Sequence, residues 1–225
     1  MPRWVKEILG VLLVPLCFGF FRVLQSVIAT AGDSLNVWIP MGSGAGCWLV
    51  VYIFMPRQTW LYVVGHELTH VVWSWAFGGE LRQFKIGAKG GHVVVSKSNF
   101  LVALAPYFFP LYAMMVGLIF GAVHFFWPKP EAVPVFHLLL GGTYAFHVTW
   151  TLEILRTRQS DIEGQGYLFS AVVVALGNLL VLICGIALLS GQPPAMDVLA
   201  ALLGDSLRAY QSVWGQIAYW FRGSA

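Results

Sequence analysis

The sequence predicts an all-α polytopic membrane protein, and three observations carry that expectation. The chain is 58% hydrophobic and only 10% charged over 225 residues, with a mean hydropathy of +0.74, a balance that suits lipid rather than water. About six apolar runs approach the roughly 20 residues that a spanning helix needs. The breaks between them are turn-like: Ala31-Gly32-Asp33-Ser34, Pro56-Arg57, Pro128-Lys129-Pro130 and residues 159–166.

The expected spans lie near residues 8–29, 38–55, 59–77, 100–127, 133–155 and 167–190. Arg3 and Lys6 precede the first, and Ala29-Thr30-Ala31 has the small-residue pattern of a leader cleavage site. Arg22 interrupts the region before that pattern, however, and the run from Ile8 to Ala31 is long enough to cross if Arg22 snorkels. A retained span is therefore expected. After the third span, β-prone runs at residues 83–86 and 92–95 flank Gly87-Ala88-Lys89-Gly90-Gly91, which predicts a small β-hairpin. Pro106 and Pro110 break the fourth span, freeing backbone carbonyls and kinking the helix. In residues 195–222, Leu199, Leu203, Leu207, Tyr210, Trp214, Ile217 and Phe221 recur at helical spacing. Asp205, Arg208, Gln211 and Gln216 fall mostly off that stripe, so an amphipathic C-terminal helix is expected. It would lie at the membrane interface, with Trp214, Tyr219 and Trp220 as anchors, or pack on the bundle or a partner. No repeat or linker divides the chain, so residues 1–225 read as a single membrane domain.

A net charge of +3 without a basic run argues against nucleic acid as a partner. Cys17, Cys47 and Cys184 have no ligand spacing and read as small apolar-segment residues. Alternating six spans divides Lys and Arg evenly between the two sides, which leaves orientation open. The expected location is a multi-pass position in a bilayer, the bacterial inner membrane.

The chemistry concentrates in His66-Glu67-Leu68-Thr69-His70. Two histidines four apart on a helix project from one face about one turn apart, close enough to share a Zn²⁺, and Glu67 beside them suits a general base in metal-assisted hydrolysis. The motif sits between Leu61-Tyr62-Val63-Val64 and Val71-Val72-Trp73. A Glu in mid-span costs on the order of 3 kcal/mol on insertion scales, a cost that a bound metal offsets. A hydrolytic zinc needs a third protein ligand. Asp161, on a Gly-rich approach to the last span, is one candidate; Glu153 is another, though Arg156 three residues on offers it an ion pair. His147, deeper in the fifth span, suits metal, a substrate carbonyl or plain packing, and Asn178 in the sixth suits interhelical bonding or the site wall. For His92, His124 and His137 a structural role is expected.

On these residues the chain resembles the site-2 protease group of intramembrane zinc metalloproteases, the M50 peptidase family, and in particular its compact M50B-like branch. The resemblance rests on Gly65-His66-Glu67-Leu68-Thr69-His70 in an apolar helix, the Gly78-Gly79 break and the hairpin near Gly90-Gly91-His92-Val93-Val94-Val95. Ala105-Pro106 in the next span and an Asp before a late one complete it. It covers residues 61–189. It implies His66, His70 and Asp161 as zinc ligands, Glu67 as base, and hydrolysis of membrane-protein or membrane-peptide substrates within the bilayer. Thr69 stands where the family often has glycine, and Gln159-Ser160-Asp161-Ile162-Glu163-Gly164 stands in place of the usual Asn-Pro-rich approach to an Asp-Gly pair. Two other expectations compete. A membrane-embedded gluzincin would use Glu153 as third ligand, and a scaffold or pseudoprotease would bind helices or metal without needing Glu67.

Overall fold

The computed structural model describes residues 2–32, 34–56, 59–87 and 90–223. The turn residues Asp33, Arg57, Ala88 and Lys89 lie outside the described residues. The fold is mostly helical, with one two-stranded antiparallel sheet. Among the described residues, four helical segments are long and apolar enough to cross a membrane: α1 (Arg3–Ala31), α2 (Leu35–Phe54), α6 (Val133–Ile154 with the preceding 3₁₀ turn Pro130–Ala132) and α8 (Tyr167–Ser190). A fifth crossing is available if α4 (Phe100–Leu104), the 3₁₀ turn Ala105–Tyr107 and α5 (Leu111–Phe126) count as one span bent by 84°. Helix α3 (Thr59–Ala76), which carries the His-Glu motif, is not among the four.

The chain forms two compact units, one made by α1, α8 and α9 (Ala195–Gly223), the other running from Leu35 to Glu163. In the first, Gly10 of α1 meets the backbone of Phe169 and Val23, Leu24 and Val27 share an apolar core with Ile183 and Val198. Thus α8 runs parallel to α1. Helix α9 returns antiparallel: Gly19 abuts the backbone of Ser206, and the Tyr210 hydroxyl donates to the Leu12 carbonyl at 2.8 Å. Residues 198–210 of the C-terminal helix thus pack along α1 and its core.

In the second unit, α2 and α6 run parallel at a constant sequence offset of 101, as Trp48 Nε1 donates to Thr149 Oγ1, the Tyr52 hydroxyl to Glu153 Oε2, and His137 Nδ1 faces the Asn36 carbonyl. Gly44 and Gly141 let the backbones touch: a Cβ on Gly44 would strike the Leu138 carbonyl, and one on Gly141 the Met41 carbonyl. Small residues at such crossings are how membrane helices gain close packing. Gly78, at φ 69°, ends α3 in a left-handed turn, and Gly79 N–H reaches back to the Ser74 carbonyl. The chain then enters β1 (Leu81–Gly87), which pairs with β2 (Gly90–Val95), Lys85 opposite His92 and Ile86 opposite Gly91. The bulge between Leu81 and Gln83 bends the base of the hairpin, next to α3.

Candidate metal centre

Helix α3 delivers His66 and His70 to one face, with ring centroids 5.0 Å apart. Gly65 lets the Tyr112 ring of α5 press against the helix, and the Tyr112 hydroxyl donates to the Leu61 carbonyl at 2.7 Å, which pins α3 one turn before the motif. Thr69, 2% exposed, turns its hydroxyl onto the Gly65 carbonyl of its own helix at 2.7 Å. The polar group is thereby satisfied.

Asp161 arrives from the short helix α7 (Ser160–Gln165), which follows α6. Gln159 shapes the turn before it, its amide donating to the Thr157 hydroxyl and the Ile154 carbonyl. The Asp161 Oδ2 lies 3.4 Å from His66 Nε2 and 3.6 Å from His70 Nε2. Those lengths decide what the cluster suits. A charge-assisted N–H···O bond is about 2.7–2.9 Å, so these are poor ion pairs. Ligand atoms about 2.0–2.1 Å from a tetrahedral zinc stand roughly 3.3–3.4 Å from one another, which is nearly the observed spacing. Among the described residues this is the one group of three His, Cys, Asp or Glu with ligand atoms mutually within 4.8 Å.

The outer partners fit the same assignment. His70 Nδ1 lies 2.8 Å from the Val102 carbonyl. A carbonyl only accepts, so Nδ1 carries the proton and Nε2 keeps its lone pair for a metal. That carbonyl is available because of Pro106: in an α-helix Val102 O would accept from residue 106, and proline has no N–H to give. Asn99 caps the other end of α4, its Oδ1 accepting from Val102 N at 2.9 Å. His66 Nδ1 faces the Tyr62 hydroxyl at 3.4 Å, and the Tyr107 hydroxyl donates to Asp161 Oδ2 at 3.1 Å. In the metal-free cluster, where the imidazoles can take up the protons that a metal would displace, burial pushes the Asp161 carboxyl up, but hydrogen bonds and charge from His66 and His70 outweigh it and hold the acid below the ordinary carboxylate range.

A cavity of about 330 Å³ opens onto the cluster, lined by His66, Glu67, His70 and Asp161 on one side and by Gly91, His92 and Val93 of β2 on the other. Gly91 lies against Glu67: a Cβ there would sit 2.6 Å from Glu67 Cγ and 2.9 Å from its Oε1. The hairpin thus packs beside the carboxylate and forms part of the cavity wall.

No family model, curated protein or solved structure matches the chain. What the site can do follows from its own chemistry.

Of the other candidates, His147 is buried beside the cluster, sharing a small cavity of about 20 Å³ with His66, Tyr62 and Thr69. Its Nε2 has no hydrogen-bond partner among the described residues. Glu153 accepts from Tyr52 and pairs with Arg156 at 3.6 Å, away from the cluster. Asn178 belongs to the unit of α1, α8 and α9, where its amide donates to the Val174 carbonyl. His124 stacks on Phe120. Three participants were not singled out from sequence. His92, expected to be structural, lines the cavity; the Val102 carbonyl and the Tyr107 hydroxyl contact His70 and Asp161. Pro106 was the available signal, since a proline frees the carbonyl four residues before it.

Proposed function

We propose that the chain is an intramembrane zinc metalloprotease of the site-2 protease kind, hydrolysing peptide bonds of membrane-protein or membrane-peptide substrates. The observation that supports it most is the approach of Asp161 Oδ2 to both His66 Nε2 and His70 Nε2, with ligand atoms of all three residues mutually within 4.8 Å, at the wall of a cavity that Glu67 also lines. Six crossings, with α3 and the bent α4–α5 pair counted as spans, and a place in the bacterial inner membrane belong to the same reading.

His66, His70 and Asp161 would hold the zinc through those three atoms, leaving a further position for water or substrate. Zinc, when bound, supplies Lewis acidity that polarises a peptide carbonyl and lowers the pKa of its water. Glu67 accepts the proton of the attacking water on its carboxylate and passes it to the leaving amine. Helical substrates hide their peptide bonds in their own hydrogen bonds and must be unwound first. In the two-stranded sheet β2 pairs only with β1, so its second edge is free of strand partners among the described residues and can take the extended segment by strand addition. Glu153, the ligand that a gluzincin would need, is already engaged by Tyr52 and Arg156. A pure scaffold has no use for a carboxylate at Glu67.

The test is zinc analysis of purified protein with cleavage of a panel of membrane-peptide substrates. Wild type should carry about one zinc per chain and His66→Ala far less, because a site with two of three ligands holds the metal weakly. Glu67→Gln should keep the zinc and lose about 10²–10⁴ in cleavage rate, the usual cost of losing a general base. Wild type without stoichiometric metal would remove the basis of the proposal, and full activity in Glu67→Gln would remove Glu67 as the base.

A further inference from the structure

The break in the fourth apolar run puts two ligand-holding groups within six residues. Val102 O reaches His70 from the end of α4, and Tyr107 reaches Asp161 from the 3₁₀ turn that follows. Tyr107 is 0% exposed, so its ring has no solvent role, and it stands edge-on to His66 with centroids 5.4 Å apart and planes at 85°. Its hydroxyl donates to the same oxygen, Oδ2, that both histidines face. One phenol therefore touches one ligand with its ring and another with its oxygen. An Asp side chain has two rotatable bonds and two equivalent oxygens, and α7 is only six residues long. Asp161 thus needs a fixed donor to keep one oxygen aimed at the histidines.

We propose that Tyr107 is a positioning residue of the metal site, its hydroxyl locking the Asp161 carboxylate in the orientation that ligates. The proposal rests on the metal reading above. It differs from a packing role for the ring, which needs no hydroxyl. Partners behind metal ligands typically account for about 10–100-fold in affinity, and that is the effect expected of the hydroxyl alone.

The experiment measures zinc affinity of the full chain in detergent by competition with a chromophoric chelator. Tyr107→Phe keeps the ring and should bind zinc about 10–100-fold more weakly than wild type. In an Asp161→Ala background the same change should have no further effect, because the hydroxyl acts through that carboxylate and neighbours of this kind are non-additive. Tyr107→Leu, which also loses the ring, sets the packing contribution. Wild-type affinity in Tyr107→Phe, a loss confined to Tyr107→Leu, or an undiminished loss in the Asp161→Ala background each overturns the proposal. Failure of the wild type to bind zinc defeats the metal reading instead.

Discussion

An acid in the first turn of a helix ordinarily serves that helix, through the macrodipole or as a cap. Asp161 is in that position in α7, yet its Oδ2 faces two imidazoles and accepts from Tyr107. The two roles separate on substitution. If Asp161 served only the helix end, Asp161→Ala would cost about 0.3–1 kcal/mol of stability and leave metal uptake alone. As a ligand, its loss should weaken zinc binding beyond the roughly 100-fold upper range of an outer partner. Zinc affinity and thermal unfolding of the metal-free variant, measured together, distinguish these outcomes. Wild-type metal content in Asp161→Ala would return the residue to a helix-end role.

At the scale of elements, the decisive feature is a proline that interrupts a hydrogen-bond ladder in a useful place. Pro106→Ala restores an N–H that can take the Val102 carbonyl, so His70 Nδ1 loses its acceptor. Zinc affinity should fall about 10–100-fold, although no ligand has been altered and alanine is the better helix former. Retention of wild-type affinity would mean that the carbonyl is held by something other than the missing donor. Much of this architecture was legible beforehand. The runs at 83–86 and 92–95 fall within β1 and β2, and the periodic C-terminal stripe became α9. His66, His70 and Asp161, picked out by spacing and resemblance, do come together. The rest was hidden for physical reasons. A hydropathy window averages over α4, the 3₁₀ turn and α5, so the prolines signalled a kink but not its angle or which side chains it would turn inward. Tyr107 and Val102 act across the fold, through a hydroxyl and a backbone oxygen, and neither leaves a local pattern in sequence. The surface that covers α9 was hidden for a similar reason. Amphipathicity gives a helix two faces but does not choose the surface that covers either one, and here part of α9 packs on α1.

For the molecule as a whole, the three residues proposed to hold the metal, His66, His70 and Asp161, all belong to the unit that runs from Leu35 to Glu163. A metal that binds only the folded form stabilises it by mass action, about 2.7 kcal/mol at a free concentration one hundred times the dissociation constant. Chelation should therefore lower the unfolding temperature of wild type and leave His66→Ala unmoved. Equal shifts in the two proteins would assign the effect of the chelator elsewhere. The sequence distance between ligands adds a further consequence. His66 and Asp161 are 95 positions apart, and the chain between them includes the hairpin, the bent α4–α5 pair and the whole of α6. On the metal reading, an occupied site fastens that stretch into a ring in the folded state. During synthesis the histidines emerge first and wait for Asp161 until α6 is complete. If the site is the zinc centre proposed above, the ring closes from its far end, and tight metal capture should come late in the maturation of this unit, when both ends of the clasp have been made.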